Sequence, residues 1–293
     1  MKYAYFPGCS LKGTGRAYEE SLLEILRALD VEIQELPDWN CCGATAYMAV
    51  DEIKAFTLAA RNLAIAEKQG GDLMAPCAAC YLVLLKTQHY VQDYPKVRDA
   101  VHRGLSAVDL RYEGRVKIRH PLDILVNDVG VDAIRARVRQ PLQGLKIATY
   151  YGCQVVRPFA TFDHQDYPTT MDRVLEACGA EIVHYPLKTK CCGGSLTGTV
   201  TEVGARLCHI LRAEAKRQGA DLIATLCPLC QFNLDAYQDK QPGQWFEPVK
   251  LPVVYFTQLM GLAFGLSEKK LGLGRNIVSA APALRRRQAV ATA

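Results

Sequence analysis

The 293-residue chain has no apolar run near the roughly 18 residues that a membrane-spanning helix needs. Its longest apolar stretch near the end, residues 259–266, is too short and contains glycines. The opening Met1-Lys2-Tyr3-Ala4-Tyr5-Phe6-Pro7-Gly8 has no signal-peptide h-region. These absences predict a cytoplasmic protein in a reducing compartment. There, cysteine means metal or redox chemistry rather than structural disulfides. A dominant basic stripe is also missing. Net charge is only +5, from 35 basic and 30 acidic residues. The one dense basic cluster, Arg285-Arg286-Arg287, reads as a solvated terminal run, so no nucleic-acid partner is expected. The chain has no ferredoxin run of the C-x-x-C-x-x-C-x-x-x-C-P type, no dinucleotide fingerprint and no flavin motif. The glycine-rich stretch nearest to such a fingerprint, residues 8–15, matches it poorly in order and context and reads as a loop.

What the chain does have is cysteine, in a pattern that occurs twice. The first copy is Cys9, Cys41-Cys42-Gly43 and Cys77-Ala78-Ala79-Cys80; the second is Cys153, Cys191-Cys192-Gly193 and Cys227-Pro228-Leu229-Cys230. In both copies 34 residues separate the double cysteine from the CxxC. The lone cysteine precedes the double one by 31 intervening residues in the first copy and 37 in the second. Ten of the twelve cysteines belong to this internal repeat. The other two, Cys178 and Cys208, have apolar helical neighbours and read as core residues.

Each half reads as strand–helix units. Strands are predicted at 2–6, 31–36, 72–75, 146–150, 181–185 and 221–226, and helices at 17–29, 45–68, 81–90, 168–177 and 199–217. A further unit closes each half at 116–124 and 253–261, with an insertion at 92–114 in the first half only. Alternating strands and helices imply an α/β fold: two similar parallel-sheet domains related by an internal repeat. Every repeated cysteine falls just after a strand and just before a helix. That is the carboxyl edge of the sheet, where open α/β folds place ligands. The expected organisation is a first domain over 1–142, a second over 143–275 and a disordered tail over 276–293.

The thiolate is the ligand form of cysteine, and helix N-termini stabilise it. Two sulfurs one helical turn apart can share a metal site, whereas adjacent cysteines more naturally bind different metal atoms of an extended cluster. Structural zinc and an ordinary [4Fe–4S] cube each use four ligands, and each half here offers five. A pair of zinc sites remains an alternative. A thioredoxin-like CxxC accounts for two cysteines per half and leaves the Cys-Cys-Gly motifs unexplained.

This doubled set resembles the tandem CCG domain of the B-type subunits of heterodisulfide reductase, over residues 2 to about 274. Related domains occur in succinate and fumarate reductases, in glycolate and lactate oxidase subunits, and in sulfur-oxidation complexes. The resemblance implies two non-cubane [4Fe–4S] clusters. One would lie on Cys9, Cys41, Cys42, Cys77 and Cys80, the other on Cys153, Cys191, Cys192, Cys227 and Cys230. It implies an enzyme of the disulfide/thiol oxidoreductase class, active within a complex, that cleaves or forms a small-molecule disulfide between the clusters. With no ferredoxin or flavin motif of its own, the chain is expected to exchange electrons through a ferredoxin-like C-type partner and, beyond that, a flavin-containing protein of the same complex. The competing expectation is an electron-transfer or membrane-docking subunit of a succinate- or fumarate-quinone reductase. Residues 253–266 would then lie on a membrane surface, against the preferred reading of a closing strand and core helix. Candidate groups to serve departing thiolates are Lys12, Arg16, His164, His184, Lys188 and Lys190, each more simply an ordinary surface or packing residue. Tyr150, Tyr151 and Tyr255 are expected to pack against the sheets.

Overall fold

A computed structural model describes residues 1–44, 46–239 and 247–285. The first half runs β1 (Lys2–Tyr5), α1 (Gly8–Lys12), α2 (Arg16–Ala28), β2 (Glu32–Glu35), α3 (Ala46–Val50), α4 (Glu52–Gln69), β3 (Leu73–Met74), α5 (Ala78–Asp93), α6 (Pro95–Ser106), β4 (Ile118–Arg119), α7 (Pro121–Ile124), a π-helical turn (Leu125–Val129) and α8 (Val131–Arg137). The second runs β5 (Lys146–Tyr150), α9 (Thr170–Ala177), β6 (Glu181–Ile182), α10 (Leu196–Thr199), α11 (Thr201–Arg217), β7 (Leu222–Thr225), α12 (Pro228–Ala236), β8 (Val253–Tyr255) and α13 (Phe256–Ala263).

Local chemistry accounts for these boundaries. In α2, Tyr18, Leu22, Ile25 and Leu26 recur at helical spacing and are fully or almost fully buried. The single helix predicted over 45–68 is instead two, because Asp51 adopts an extended backbone and its carboxylate accepts the Lys54 N–H at 3.1 Å. That is an N-cap, and it starts a new helix. The insertion at 92–114 contains α6, opened by Pro95 and seated on α4 through Val101 and Leu105.

The strands form two four-stranded parallel sheets with the same order, β2-β1-β3-β4 and β6-β5-β7-β8. Lys2 pairs with Glu32 and Leu73 with Ile118 in the first; Ile147 pairs with Leu222 and Ile223 with Val253 in the second. This is the repeated α/β architecture that the sequence predicts. β4 and β8 are the matching fourth strands.

The halves exchange their closing helices. α13 packs on α2, where Ser21 and Thr257 hydroxyls meet at 2.6 Å, and α8 packs on α9. Every residue of α13 is buried, so residues 253–263 are a core strand and helix, as preferred above. Residues 276–285, expected in a disordered tail, instead close over the second half. Asp235 carboxylate accepts the Ile277 and Val278 N–H groups at 2.7 and 3.0 Å, and Ala280, Ala283 and Leu284 are buried. Two backbone hydrogen bonds and an apolar anchor hold what composition alone leaves open. The rest of that expected tail, 286–293, lies outside the described residues. Among the described residues no helix is long and apolar enough to cross a membrane.

Candidate metal centre

Cys9 follows β1, Cys41 and Cys42 follow β2, and Cys77 and Cys80 follow β3; Cys153, Cys191, Cys192, Cys227 and Cys230 follow β5, β6 and β7 in the same way. Cys77 is the N-cap of α5 and Cys227 that of α12. Each half therefore gathers five sulfurs at the carboxyl edge of its sheet. Within the first set, Cys9 and Cys41 sulfurs lie 3.9 Å apart and Cys42 and Cys80 3.3 Å apart. In the second, Cys192 and Cys230 lie 3.5 Å apart, and Cys153 meets Cys191.

The two sets are joined. Cys77 contacts both Cys80 and Cys227, and Cys227 contacts Cys230. Cys41 touches Cys42, and Cys191 touches Cys192. All ten thiols thus form one unbroken series from Cys9 to Cys153, with the Cys77–Cys227 contact at its middle. Thiols this close share protons. The Cys227 thiol pulls the Cys77 thiol well below its ordinary value. Cys191 is lowered to about 2, first by Cys153 and then by Cys192, the Gly193 N–H and the Arg157 charge. Cys230 is raised by Cys192 and Cys227 together with burial. Metal binding to such a set must release protons.

Two glycines let the sulfurs come together. Gly8 and Gly152 hold φ of +68° and +70°, and a Cβ there would stand 2.9 Å from the Cys80 sulfur and 3.1 Å from the Cys230 sulfur. Only glycine suits both the backbone and the space. Before Cys41, Asn40 and Asn62 clamp the loop with reciprocal hydrogen bonds of 3.0 and 2.9 Å. Before Cys191, the Arg157 guanidinium holds the Thr189 carbonyl.

The donor set fits a multi-atom sulfur-ligated group. The clustered side chains are soft thiols. A cavity of about 230 Å³ lies over the second set, lined by Cys153, Cys191, Cys192, Cys227 and Cys230, with Ala78 of the first half closing it. Among the described residues no three or more metal-binding side chains converge as a single ion requires.

Ring contacts cross between the halves beside this centre. Among them, Tyr18 stacks on Tyr255 at 4.7 Å, and Phe162 stacks on His120 at 6.1 Å. Tyr255 and His120 occupy matching places, at the ends of β8 and β4. His120 is fully paired: one ring nitrogen bonds the Pro76 carbonyl at 3.0 Å, and the other accepts the Leu122 N–H at 3.2 Å. Burial lowers its pKa to about 4, so it is neutral. Tyr18 and Tyr255 are also buried, but their hydroxyls have no hydrogen-bond partner. Both feel the charges of Cys77 and Cys227.

Other expected residues take ordinary roles. Lys12 pairs with Glu19 at 2.7 Å and Glu35 at 3.0 Å. Lys188 pairs with Asp172 at 2.6 Å, over the Tyr151 ring. His164 caps its own loop through the Asp166 and Tyr167 N–H groups, and Arg16, His184 and Lys190 are exposed. Tyr150 and Tyr151 hydroxyls bond the Lys190 carbonyl and Asp172. Cys178 and Cys208 are wholly buried, and burial pushes each thiol up to about 12. Sequence reasoning missed Arg157, Asn233, Tyr18 and His120. Distance along the chain hides all four from the cysteines they approach.

A model of the CCG cysteine-rich domain matches the chain twice, over residues 3–85 and 147–235. The chain belongs to the CCG cysteine-rich domain family. Each match takes in the first three strands of one sheet and its five cysteines, and leaves β4 and β8 outside. The chain is 30% identical to the 8-methylmenaquinol:fumarate reductase membrane anchor subunit of Wolinella succinogenes, over 95% of this chain and 98% of that one. It is 31% identical to a protein of Archaeoglobus profundus named as like the B-type subunit of heterodisulfide reductase, over 92% and 93%. It is 29% identical to the B-type subunit of the ferredoxin/F420H2-dependent CoB-CoM heterodisulfide reductase of Methanosarcina acetivorans, over 94% of each. A hypothetical protein from Helicobacter pylori shares the fold, with a TM-score of 0.75, 16% identity and coverage of 95% of this chain. The chain spans about half, 52%, of that protein's length.

Proposed function

We propose that this chain is the iron–sulfur subunit at which a heterodisulfide-reductase-type complex cleaves or forms a disulfide. The observation that carries the reading is the unbroken series of ten thiols, centred on Cys77 and Cys227. The proposed ligands of one non-cubane [4Fe–4S] cluster are Cys9, Cys41, Cys42, Cys77 and Cys80. Those of the second are Cys153, Cys191, Cys192, Cys227 and Cys230. Each CCG repeat is read as one domain, with the boundary near residue 142. Family membership and the names of the relatives support an electron-transfer iron–sulfur protein that works with partner subunits. The partners proposed are a ferredoxin-like protein and, beyond it, a flavin-containing one.

Iron–sulfur clusters held by these cysteines would supply single electrons to a disulfide or take them from thiols. The chain's residues prepare the place. The N-terminus of α5 favours thiolate at Cys77, whereas at Cys227 the Cys230 side chain and the Cys230 N–H at the start of α12 are outweighed by the Cys77 sulfur and burial, which raise the thiol. The apolar walls around the buried Tyr18, Tyr255, Phe256 and Leu226 exclude water from the junction. A substrate disulfide held there would reach both sets at once.

Anaerobic purification followed by EPR of the oxidised protein, with and without a thiol, tests this. A paramagnetic species appearing only with thiol is expected. The fumarate reductase relative favours a second reading, in which the clusters relay electrons and break no disulfide. Intact clusters whose spectrum ignores every thiol offered would favour that one.

A further inference from the structure

The two halves follow one numbering offset from the double cysteine to the CxxC: Cys42 matches Cys192 and Cys80 matches Cys230. One turn past the CxxC, that offset sets Val83 against Asn233. Both are buried, Val83 in α5 and Asn233 in α12. The Asn233 amide nitrogen donates to the Cys192 sulfur at 3.5 Å and to the Gly194 carbonyl at 2.8 Å. Its oxygen accepts the Thr197 hydroxyl at 2.9 Å. An amide has two N–H donors, and both are used. Flipping it would set its oxygen against the Gly194 carbonyl oxygen, so this orientation is fixed by its neighbours. The first half has no counterpart: Thr197 matches Tyr47, which is exposed, and Val83 has no polar atom to offer. Both halves do share the backbone donors, Ala44 N–H toward Cys42 and Gly194 N–H toward Cys192. The Asn233 amide is therefore an extra donor on one sulfur of one set.

A hydrogen bond to a ligand sulfur withdraws electron density. It stabilises the reduced, more negative state of whatever the sulfur holds and so raises its potential. Burial strengthens the effect, because no water competes for the sulfur. We propose that Asn233 is a positioning residue that raises the reduction potential of the group bound by the second cysteine set, an increment the first set lacks. This rests on the proposed iron–sulfur reading and adds to it a built-in difference between two otherwise matched sites.

The test uses the full chain, purified and reconstituted anaerobically. Iron and acid-labile sulfide are counted first, then a potentiometric titration is followed by EPR. Asn233→Val installs the residue that the twin position already holds. It should lower one of the two midpoints and leave the other in place, by about tenfold in the reduction equilibrium, or about 59 mV for a one-electron couple. Asn233→Asp replaces the donor with an anion and should lower the same midpoint further. A purely packing role would not produce that ordered series. Unchanged midpoints in both variants with full iron, or loss of second-half iron in both, would overturn the inference while the iron–sulfur reading stands. No iron in the parent protein overturns both.

Discussion

In the first half the lone cysteine, Cys9, is open to solvent, and a valine stands one turn past the CxxC; in the second, Cys153 is half-buried and an asparagine reaches Cys192. Matching helix positions diverge as well. Asn62 clamps the loop before Cys41, while its twin Arg212 is buried and gathers the Leu234, Tyr237 and Val249 carbonyls at 3.3–3.4 Å. Arg119 in the first half is bound by Asp72, Asp123 and Asp128, whereas the second half puts Val254 in that strand position. The repeat keeps sulfur positions and backbone donors and varies the shell around them. Two like cysteine sets thus lie in unlike electrostatic surroundings.

Removing one ligand should break the comparison most strongly. Cys42→Ser is expected to remove about half of the bound iron and sulfide, because each set must be complete to hold its group. Loss of all iron would mean the sets load as one unit. The ring pairs offer the next contrast. His120→Phe keeps a ring against Phe162 but strands the Pro76 carbonyl and Leu122 N–H, and should cost about 1–3 kcal/mol in urea unfolding of the metal-free protein. Tyr255→Phe keeps the stack on Tyr18 and removes a hydroxyl that has no partner, so its cost should be near zero. Equal losses would contradict the pairing described. Gly8→Ala and Gly152→Ala should each cost about 1–2 kcal/mol for the positive φ. Gly8→Ala should be the worse of the two, since its Cβ falls closer to sulfur, at 2.9 rather than 3.1 Å; unfolding midpoints would rank them.

Acid should separate the halves more gently. Burial pushes the Asp128 carboxyl up, but hydrogen bonds from Arg119 and Tyr3 outweigh it and hold it below the usual range, with Lys117 adding to the pull. That stability is present above the unfolded aspartate value of about 3.9 and is lost as pH falls through the lower folded one. Asp235 behaves oppositely: burial raises it, against the Val278 and Ile277 N–H groups. In the folded chain it takes up its proton above about pH 3.9, so falling pH favours the folded second half there. Hydrogen exchange at falling pH should therefore loosen β1–β4 before β5–β8. The reverse order would contradict this account.

The strands, the order of units and the ten-cysteine repeat were legible in the sequence because each is a local signal: alternation, glycine breaks and fixed spacing. The missed features are not local. The α3–α4 break depends on one aspartate adopting an extended backbone inside an apolar pattern. Residues 276–285 are held by Asp235, some forty positions upstream. Lys12 looked available beside Cys9 until Glu19 and Glu35 engaged it. Asn233 reads in sequence as one polar residue in a buried helix. Only the return of the Cys192 loop reveals what it touches.

Each five-sulfur set is proposed to hold its own iron–sulfur group. The most direct measurement is iron and acid-labile sulfide per chain after anaerobic purification, alongside zinc. Two four-iron groups predict about eight irons and matching sulfide, with negligible zinc. About two zinc ions per chain and no sulfide would contradict it.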